Sequence, residues 1–320
     1  AVCLVFLVMP FLFYLYGSSY KERFNSSDTI NYEYKVRAIG SNISLDRFYS
    51  NIDPVSVINE LIDISQPSKN DKIIFVWPEG ILPDISQEEL IEFKWLFEDV
   101  FSTNHLLFIG INSQKTNKEK IDYFNSLSIY DHNLEILNFY NKNNLVPFGE
   151  FLPFENILKK FGLSVITNNY QSFSSGEQRK IIDIKRDHFS FKILPLICYE
   201  IIYSGKIFKN PNFDLMVNIS EDGWFGKSIG PKQHFAHSIF RSVESGKYLL
   251  RSANNGIAAI INPLGVIVQK VEFGKSGYVD FKEAKKIKPT LFSKYGNKIF
   301  IILILLYIFI IFSFNRFKNE

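Results

Sequence analysis

The order of apolar and polar positions along the chain predicts short β-strands that alternate with helices. Short runs rich in β-branched and aromatic residues are typical of buried strands, and segments with apolar residues three or four positions apart predict helices with one buried face. This alternation predicts a layered α/β domain over residues 35–285. The predicted strands are Lys35–Ser41, Lys72–Trp77, His105–Ile111, Leu127–Tyr130, Phe191–Ile197, Asp214–Ile219 and Gly256–Ile261, and the predicted helices are Val55–Ile64, Gln87–Phe101, Glu200–Phe208 and Gln233–Gly246.

Both ends of the chain are apolar over a length that suggests contact with lipid. Residues 299–314 carry no charge, which predicts a transmembrane helix, with a buried core helix as the alternative. Residues 1–17 predict the end of another transmembrane helix, and a secretory signal is the alternative. Because the chain begins at Ala1 rather than Met, we expect further membrane helices upstream. Residues 18–34 and 286–298 are then expected to be linkers, and 315–320 a tail.

Basic residues near the last apolar segment do not decide the side of the membrane on which the domain lies. More lysines precede this segment than follow it, and the positive-inside rule alone would place the domain in the cytoplasm. Long domains escape that rule. Both orientations stay open on charge alone.

Composition narrows the partners. The chain has 36 Lys and Arg against 33 Asp and Glu, and the signs are interspersed, so nucleic acid is not an expected partner. Its 32 Phe residues are many for a domain that meets only water. The two cysteines, Cys3 and Cys198, are too few for a disulfide framework or a zinc cluster. No metal or cofactor is expected.

Reactive side chains follow three predicted strand ends. Glu79 comes after IIFV-Trp-Pro, Lys142 follows the run that ends in Phe-Tyr-Asn, and Cys198 follows ILPLI. Ligand sites of layered α/β domains gather beyond the carboxyl ends of strands. We therefore expect Glu79, Lys142 and Cys198 to converge.

Together these three residues would suit a nucleophilic mechanism. A free thiol has a pKa of about 8.5 and needs a base to become a nucleophile at neutral pH. Glu79 is the candidate base, and Lys142 with a backbone N–H after Cys198 can stabilise an oxyanion. Taken singly, Glu79 can be a cap, Lys142 a turn residue and Cys198 a small buried hydrophobe.

Longer motifs around these residues carry a family resemblance. The segments WPEG, YNKNNLVPFGEFLP, ICYEII and SEDGWFGKSIGPKQHFAHSIFRSVESGKYLLRSANNGIAAIINPLG resemble the nitrilase-type domain of bacterial apolipoprotein N-acyltransferases. The resemblance covers Lys35–Phe281 and the final helix. It implies a nitrilase-like α-β-β-α sandwich flanked by transmembrane helices, in a bacterial inner membrane with the domain on the periplasmic side.

The resemblance also implies a reaction and its residues. Cys198, activated by Glu79, would take an acyl chain from a membrane phospholipid as a thioester, with Lys142 at the oxyanion. The acceptor would be the α-amine of the diacylglyceryl-cysteine of an apolipoprotein. The supporting residues implied are Glu150, Tyr199 and Glu200, and the residues implied for the acyl pocket are Phe148, Trp224 and Phe225.

Some features leave other readings open. Glu221 stands where the family commonly has Asn, which questions any hydrogen bond donated by an amide there. Residues 151–175 predict a long loop, either an arm that dips into a membrane interface or an ordinary surface excursion. A membrane-tethered hydrolase of the same superfamily is the alternative function. A catalytically inactive lipoprotein-binding module is a third.

Overall fold

In the computed structural model, residues 2–50, 52–117, 120–154, 172–186, 188–205 and 212–318 are described. Their helices are α1 (Val2–Ser26), α2 (Pro54–Ser65), α3 (Lys94–Glu98), α4 (Gly230–Ser245), α5 (Leu291–Tyr295) and α6 (Lys298–Lys318). Their strands are β1 (Thr29–Ser41), β2 (Ile73–Val76), β3 (Leu82–Ser86), β4 (His105–Asn117), β5 (Lys120–Asp131), β6 (Ile136–Asn141), β7 (Ile182–Arg186), β8 (Phe189–Ile197), β9 (Leu215–Glu221), β10 (Tyr248–Asn254), β11 (Ala258–Ile261), β12 (Ile267–Val271) and β13 (Gly277–Lys285).

The strands form two layers that share an apolar core. One layer has the order β6-β5-β4-β2-β1-β13 and the other the order β7-β8-β9-β10-β11-β12. The layers are joined where β1 and β10 run parallel, through the pairs Gly40–Ala253 and Ser41–Asn254. Ile74 and Leu127 of the first layer belong to the same buried cluster as Val217 of the second. The inner faces of both layers therefore pack against each other.

Helices cover the outer faces. Successive residues of a strand point to opposite faces, so Phe75 points away from the inner core and packs in a cluster with Leu61 of α2. In the second layer, Met216 clusters with Phe235 of α4. The predicted α-β-β-α sandwich is confirmed.

Two of the four predicted helices of the domain, Val55–Ile64 and Gln233–Gly246, are present as α2 and α4 with recognisable ends. Asp53 caps α2 by accepting a hydrogen bond from the Val55 N–H, and Pro54 occupies the first helical position. Helix α4 ends at Gly246, whose φ of +66° is the left-handed conformation favoured after a helix.

Two other predicted helices were wrong in extent. Within residues 87–101 the structure has a 3₁₀ helix, Glu89–Phe93, followed by the short α3. The helix does not begin at Gln87, because the Gln87 N–H donates to the Asn112 carbonyl of β4 and continues the strand pairing. The segment predicted as Glu200–Phe208 is a 3₁₀ helix over Cys198–Ile202, and residues 206–208 lie outside the described residues.

All seven predicted strands are present, with shifted bounds, but several strands were missed. The most important of these is β10, which is buried along its whole length. Residues 18–34 also differ from an expected linker, since α1 continues to Ser26 and β1 begins at Thr29.

The apolar ends of the chain are helical in α1 and α6. Within the part of the chain that the structure describes, no helix is both long enough and apolar enough to cross a membrane. The transmembrane helices predicted at 1–17 and 299–314 are therefore not shown by the fold.

Candidate active site

The three predicted reactive residues lie at one edge of the layered sheet. Strands β2 and β4 are parallel, and two antiparallel pairings give β6 the same direction as β2. The strand direction is also the same from β8 to β2, because each adjacent pair is parallel: β8 with β9, β9 with β10, β10 with β1, and β1 with β2. Glu79, Lys142 and Cys198 each follow the carboxyl end of one of these strands.

Lys142 lies between two carboxylates. Its Nζ is 3.2 Å from Glu79 Oε1 and 2.9 Å from Glu150 Oε1. All three side chains are buried. The Asn125 side-chain amide joins the same two carboxylates, since its Nδ2 donates to Glu79 Oε1 at 2.7 Å and to Glu150 Oε1 at 2.8 Å. The cluster thus holds two carboxylates around one ammonium.

Electrostatics keeps this ammonium charged. Burial favours the neutral amine and would lower the pKa of Lys142. The neighbouring carboxylates of Glu150 and Glu79 outweigh burial and raise that pKa well above its ordinary value. Lys142 is therefore a fixed positive charge across the neutral pH range.

Cys198 is a buried free thiol. Burial and the carboxylate of Glu79 raise the pKa of the thiol well above its ordinary value, although the Lys142 ammonium acts in the opposite direction. Cys198 also has a φ of +45°, in the left-handed region that is unusual for a residue with a side chain. The thiol is protonated at neutral pH and needs a base before it can attack a carbonyl carbon.

The backbone holds Glu79 from two sides. The Glu221 N–H donates to Glu79 Oε2 at 2.9 Å, which leaves Oε1 facing Lys142. On the other side, Gly110 of β4 approaches the chain so closely that a β-carbon there would lie 2.2 Å from the Pro78 carbonyl oxygen and 2.5 Å from Glu79 Cα. Only glycine permits this approach.

Glu150 and Glu200 hold the loops around Lys142 and Cys198. Glu150 Oε2 accepts a hydrogen bond from the Val146 N–H at 2.8 Å. Glu200, fully buried, accepts from the Ile197 N–H on one side and from the Asn143 N–H on the other. Glu200 therefore ties the residue before the thiol to the residue after the ammonium, and it also receives the Tyr140 hydroxyl and pairs with Arg179.

The aromatic residues predicted for an acyl pocket are partly exposed. Phe148 has a φ of +63° and is about half exposed. The Trp224 ring is also about half exposed and packs against Phe48, with ring centres 4.8 Å apart. Phe225 packs against His234. The ring of Tyr199, one of the predicted supporting residues, packs edge-on against Tyr203.

Glu221 forms a buried ion pair in place of an amide contact. Its carboxylate pairs with Arg47 and accepts hydrogen bonds from Asn254 Nδ2 at 2.7 Å and the Gly223 N–H at 2.7 Å. Burial raises the pKa of Glu221 although Arg47 opposes this shift. At this position the Asn254 side-chain amide is the donor and the Glu221 carboxylate is the acceptor.

Sequence reasoning missed several members of the site. Asn125 and Arg47 are not near any quoted motif, and no local signal marks them. His234 and Arg251 lie within the long motif that begins at Ser220. The motif could have drawn attention to these two residues, but nothing in it indicates that their side chains are buried. Within the described residues, no group of three or more His, Cys, Asp or Glu side chains is placed to hold a metal ion.

The predicted loop at 151–175 lies largely outside the described residues. Its last residues are held close to the site, since the Phe173 N–H donates to the Glu150 carbonyl and the Ser174 N–H to the Tyr123 carbonyl, at 2.8 and 2.7 Å. Gly176 then contacts the chain near Lys142, with its N–H donating to the Lys142 carbonyl.

The fold and the matched sequence define the class of this protein: the chain belongs to the carbon-nitrogen hydrolase family, whose model matches residues 57–281. Among curated proteins it is similar to the apolipoprotein N-acyltransferases of Rickettsia typhi (36% identical over 70% of this chain and 44% of the relative), Wigglesworthia glossinidia brevipalpis (36%, 82% and 52%) and Rhodopseudomonas palustris (30%, 82% and 50%). The chain thus spans about half the length of these relatives.

Solved structures show the same fold at low sequence identity. Saccharomyces cerevisiae Nit3, of the nitrilase superfamily, has a TM-score of 0.51 and 16% identity, over 78% of this chain and 90% of that one. A variant of the Nesterenkonia amidase from the same superfamily has a TM-score of 0.50 and 13% identity, over 78% and 92%.

Proposed function

We propose that this chain carries the catalytic domain of an N-acyltransferase that moves an acyl chain from a membrane phospholipid to the N-terminal diacylglyceryl-cysteine of an apolipoprotein. The observation that carries the proposal is the buried Glu79–Lys142 pair, which acts electrostatically on the Cys198 thiol at the end of β8. The names of the relatives supply apolipoproteins as the acceptor class.

The first half-reaction forms a thioester. Glu79 takes the proton of the Cys198 thiol, and the sulfur attacks the ester carbonyl of the phospholipid. Lys142 and the backbone N–H of Tyr199 stabilise the negative oxygen of the tetrahedral intermediate. When this intermediate collapses, the ester C–O bond breaks, and Glu79 returns the proton to the departing lysophospholipid oxygen.

The second half-reaction forms an amide. The α-amine of the acceptor cysteine attacks the thioester, and Glu79 takes a proton from the attacking nitrogen. The C–S bond then breaks, and the thiolate regains that proton. Because the acyl group waits on the enzyme between the two substrates, the kinetics are expected to be ping-pong.

Exposed apolar side chains support contact with lipid. Phe148 and Trp224 leave about half of their surfaces open, which suits an acyl pocket that a lipid tail completes. Many large apolar residues of α6 are exposed, among them Phe300, Leu305 and Phe309. We further propose that the protein works at a bacterial inner membrane, with the catalytic domain on the periplasmic side.

The decisive experiment follows a labelled acyl chain. Native protein is mixed in detergent micelles with a phospholipid labelled in its acyl chain and a synthetic diacylglyceryl-cysteine peptide. Expected products are a labelled thioester on Cys198 when the peptide is absent and a labelled N-acyl peptide when it is added. Cys198→Ser should lose both, since an alkoxide is far harder to generate than a thiolate.

Cys3→Ser is the matched control, because it removes the other thiol and should keep both products. Release of free fatty acid without peptide acylation would replace the proposal with a hydrolase. If native and Cys198→Ser protein both formed neither labelled product, the domain would be reduced to a binding module.

A further inference from the structure

The backbone of the nucleophile is held by a histidine. His234 Nε2 lies 3.2 Å from the carbonyl oxygen of Cys198. A carbonyl oxygen can only accept a hydrogen bond, so Nε2 carries the proton and donates it. Because Cys198 has a left-handed φ of +45°, its conformation is costly and persists only where the surroundings impose it.

The imidazole is itself fixed by a buried ion pair. His234 Nδ1 is 2.8 Å from Asp222 Oδ1, and the Arg251 guanidinium lies 2.8 Å from both oxygens of the same carboxylate. Asp222 and Arg251 are fully buried and His234 nearly so. Arg251 also lies 3.1 Å from His234 Nδ1, so the ring has partners at that nitrogen whether it is neutral or charged.

The same contacts exclude His234 as the base for the thiol. One ring nitrogen donates to a backbone carbonyl, and the other faces Asp222 and Arg251. Neither nitrogen is left to take a proton from sulfur. Any effect of His234 on the reaction must therefore pass through the backbone carbonyl of Cys198.

We propose that His234 is a positioning residue that aims the Tyr199 N–H at the oxyanion, an inference that rests on the proposed acyl transfer. In a planar trans peptide the C=O and N–H point in opposite directions. By holding the Cys198 carbonyl on one side, His234 fixes the direction of the Tyr199 N–H on the other side. The hydrogen-bonded series Arg251–Asp222–His234 thus orients one of the two oxyanion donors, the Tyr199 N–H, through the backbone.

Two amide variants test this role with the same chemistry and different reach. His234→Gln can present an amide hydrogen near the position of Nε2, whereas His234→Asn is too short to do so. Each is assayed for acylation of Cys198 by p-nitrophenyl butyrate, which forms an oxyanion, and for alkylation by iodoacetamide, a displacement at saturated carbon that forms none.

We expect His234→Asn to slow acylation by roughly tenfold or more, because an oxyanion donor is misplaced, and to leave alkylation within about twofold of native. His234→Gln should recover most of the acylation rate. The matched control is His105→Asn, which alters another buried histidine whose Nε2 contacts a backbone carbonyl, that of Ser68 at 3.0 Å, and should leave both rates unchanged.

Acylation and alkylation falling together would overturn the inference, since His234 would then act on the thiol or the local fold. Unchanged acylation in His234→Asn would overturn it as well. A failure of the proposed function has a different signature, because Cys198→Ala would then release p-nitrophenol in the same burst as native protein.

Discussion

Glu79 and Lys142 form a buried ion pair, with Oε1 and Nζ 3.2 Å apart, although 63 positions separate them in the chain. Lys142 also pairs with Glu150. Burial, followed by the carboxylate of Glu79, raises the pKa of the Cys198 thiol, although the Lys142 ammonium acts in the opposite direction. Cys198 is thus protonated at neutral pH, and in the proposed mechanism Glu79 is the base that removes its proton.

Replacement of Glu79 by Gln is predicted to have opposite effects on two reactions of Cys198. The variant loses a carboxylate that raises the pKa of the thiol and keeps the Lys142 ammonium that lowers it. The thiolate fraction at pH 7 therefore increases, and alkylation by iodoacetamide should become faster. Acyl transfer should fall by roughly 100-fold or more, because the general base is gone.

The pH profile of alkylation gives the matching control. In native protein the rate should still be rising above pH 9, because the thiol is deprotonated only at a raised pKa. In Glu79→Gln the profile should shift to lower pH. A shift to higher pH would contradict the electrostatic role assigned to Glu79.

Lys142→Met is predicted to destabilise the protein as well as to inactivate it. The change leaves Glu79 and Glu150 as buried carboxylates without their shared ammonium. Breaking a buried ion pair in this way costs about 3 kcal/mol or more, which urea unfolding would measure. Lys180→Met is the control, because the Lys180–Glu177 pair is exposed to solvent and its loss should leave the stability close to that of native protein.

Gly110→Ala is predicted to damage the site through the backbone. The added methyl group would lie 2.5 Å from Glu79 Cα and 2.2 Å from the Pro78 carbonyl oxygen, so the segment that carries the base must move. We expect a stability loss of about 1–3 kcal/mol and a larger fractional loss of acyl transfer than of folded protein. Gly17→Ala, where nothing lies within 4 Å of the new atom and the position is helical, should reduce neither stability nor acyl transfer.

Acid is predicted to weaken the support of the nucleophile through Asp222. Burial acts to raise the pKa of this carboxyl, but Arg251 and His234 outweigh it and lower the pKa from 3.8 to about 2. A carboxyl whose pKa is lower in the folded protein than in the unfolded chain stabilises the fold at pH values above its unfolded-state pKa. That contribution is lost as the pH falls through its folded-state pKa. The difference corresponds to about 2 kcal/mol, lost between about pH 4 and pH 2.

Comparison with Asp222→Asn isolates this contribution from other carboxyls. The free-energy difference between native protein and the variant should narrow by about 2 kcal/mol between pH 5 and pH 2. A constant difference would show that the Asp222–Arg251 pair does not set this part of the acid stability.

The positions of Glu79 and Cys198 were accessible from the sequence because each follows a predicted strand, whereas β6, which Lys142 follows, was not among the predicted strands. Hydrophobic runs located the carboxyl ends of β2 and β8, and chemistry that follows such ends converges in parallel layers. Strand β10 was not accessible in this way. Its sequence YLLRSAN ends in polar residues, and these are buried because Asp222 pairs with Arg251 and Ser41 donates to Asn254.

Local pattern therefore established the layered α/β fold, the positions of seven of its strands along the chain and the three residues that carry the proposed chemistry. Tertiary structure decided their charge states and partners, since Asn125 bridges two carboxylates and Arg47 meets Glu221 from 174 positions away. The physical reason is range: strand and helix patterns reflect contacts within a few residues, whereas a pKa and a buried ion pair depend on whatever distant segment folds against them.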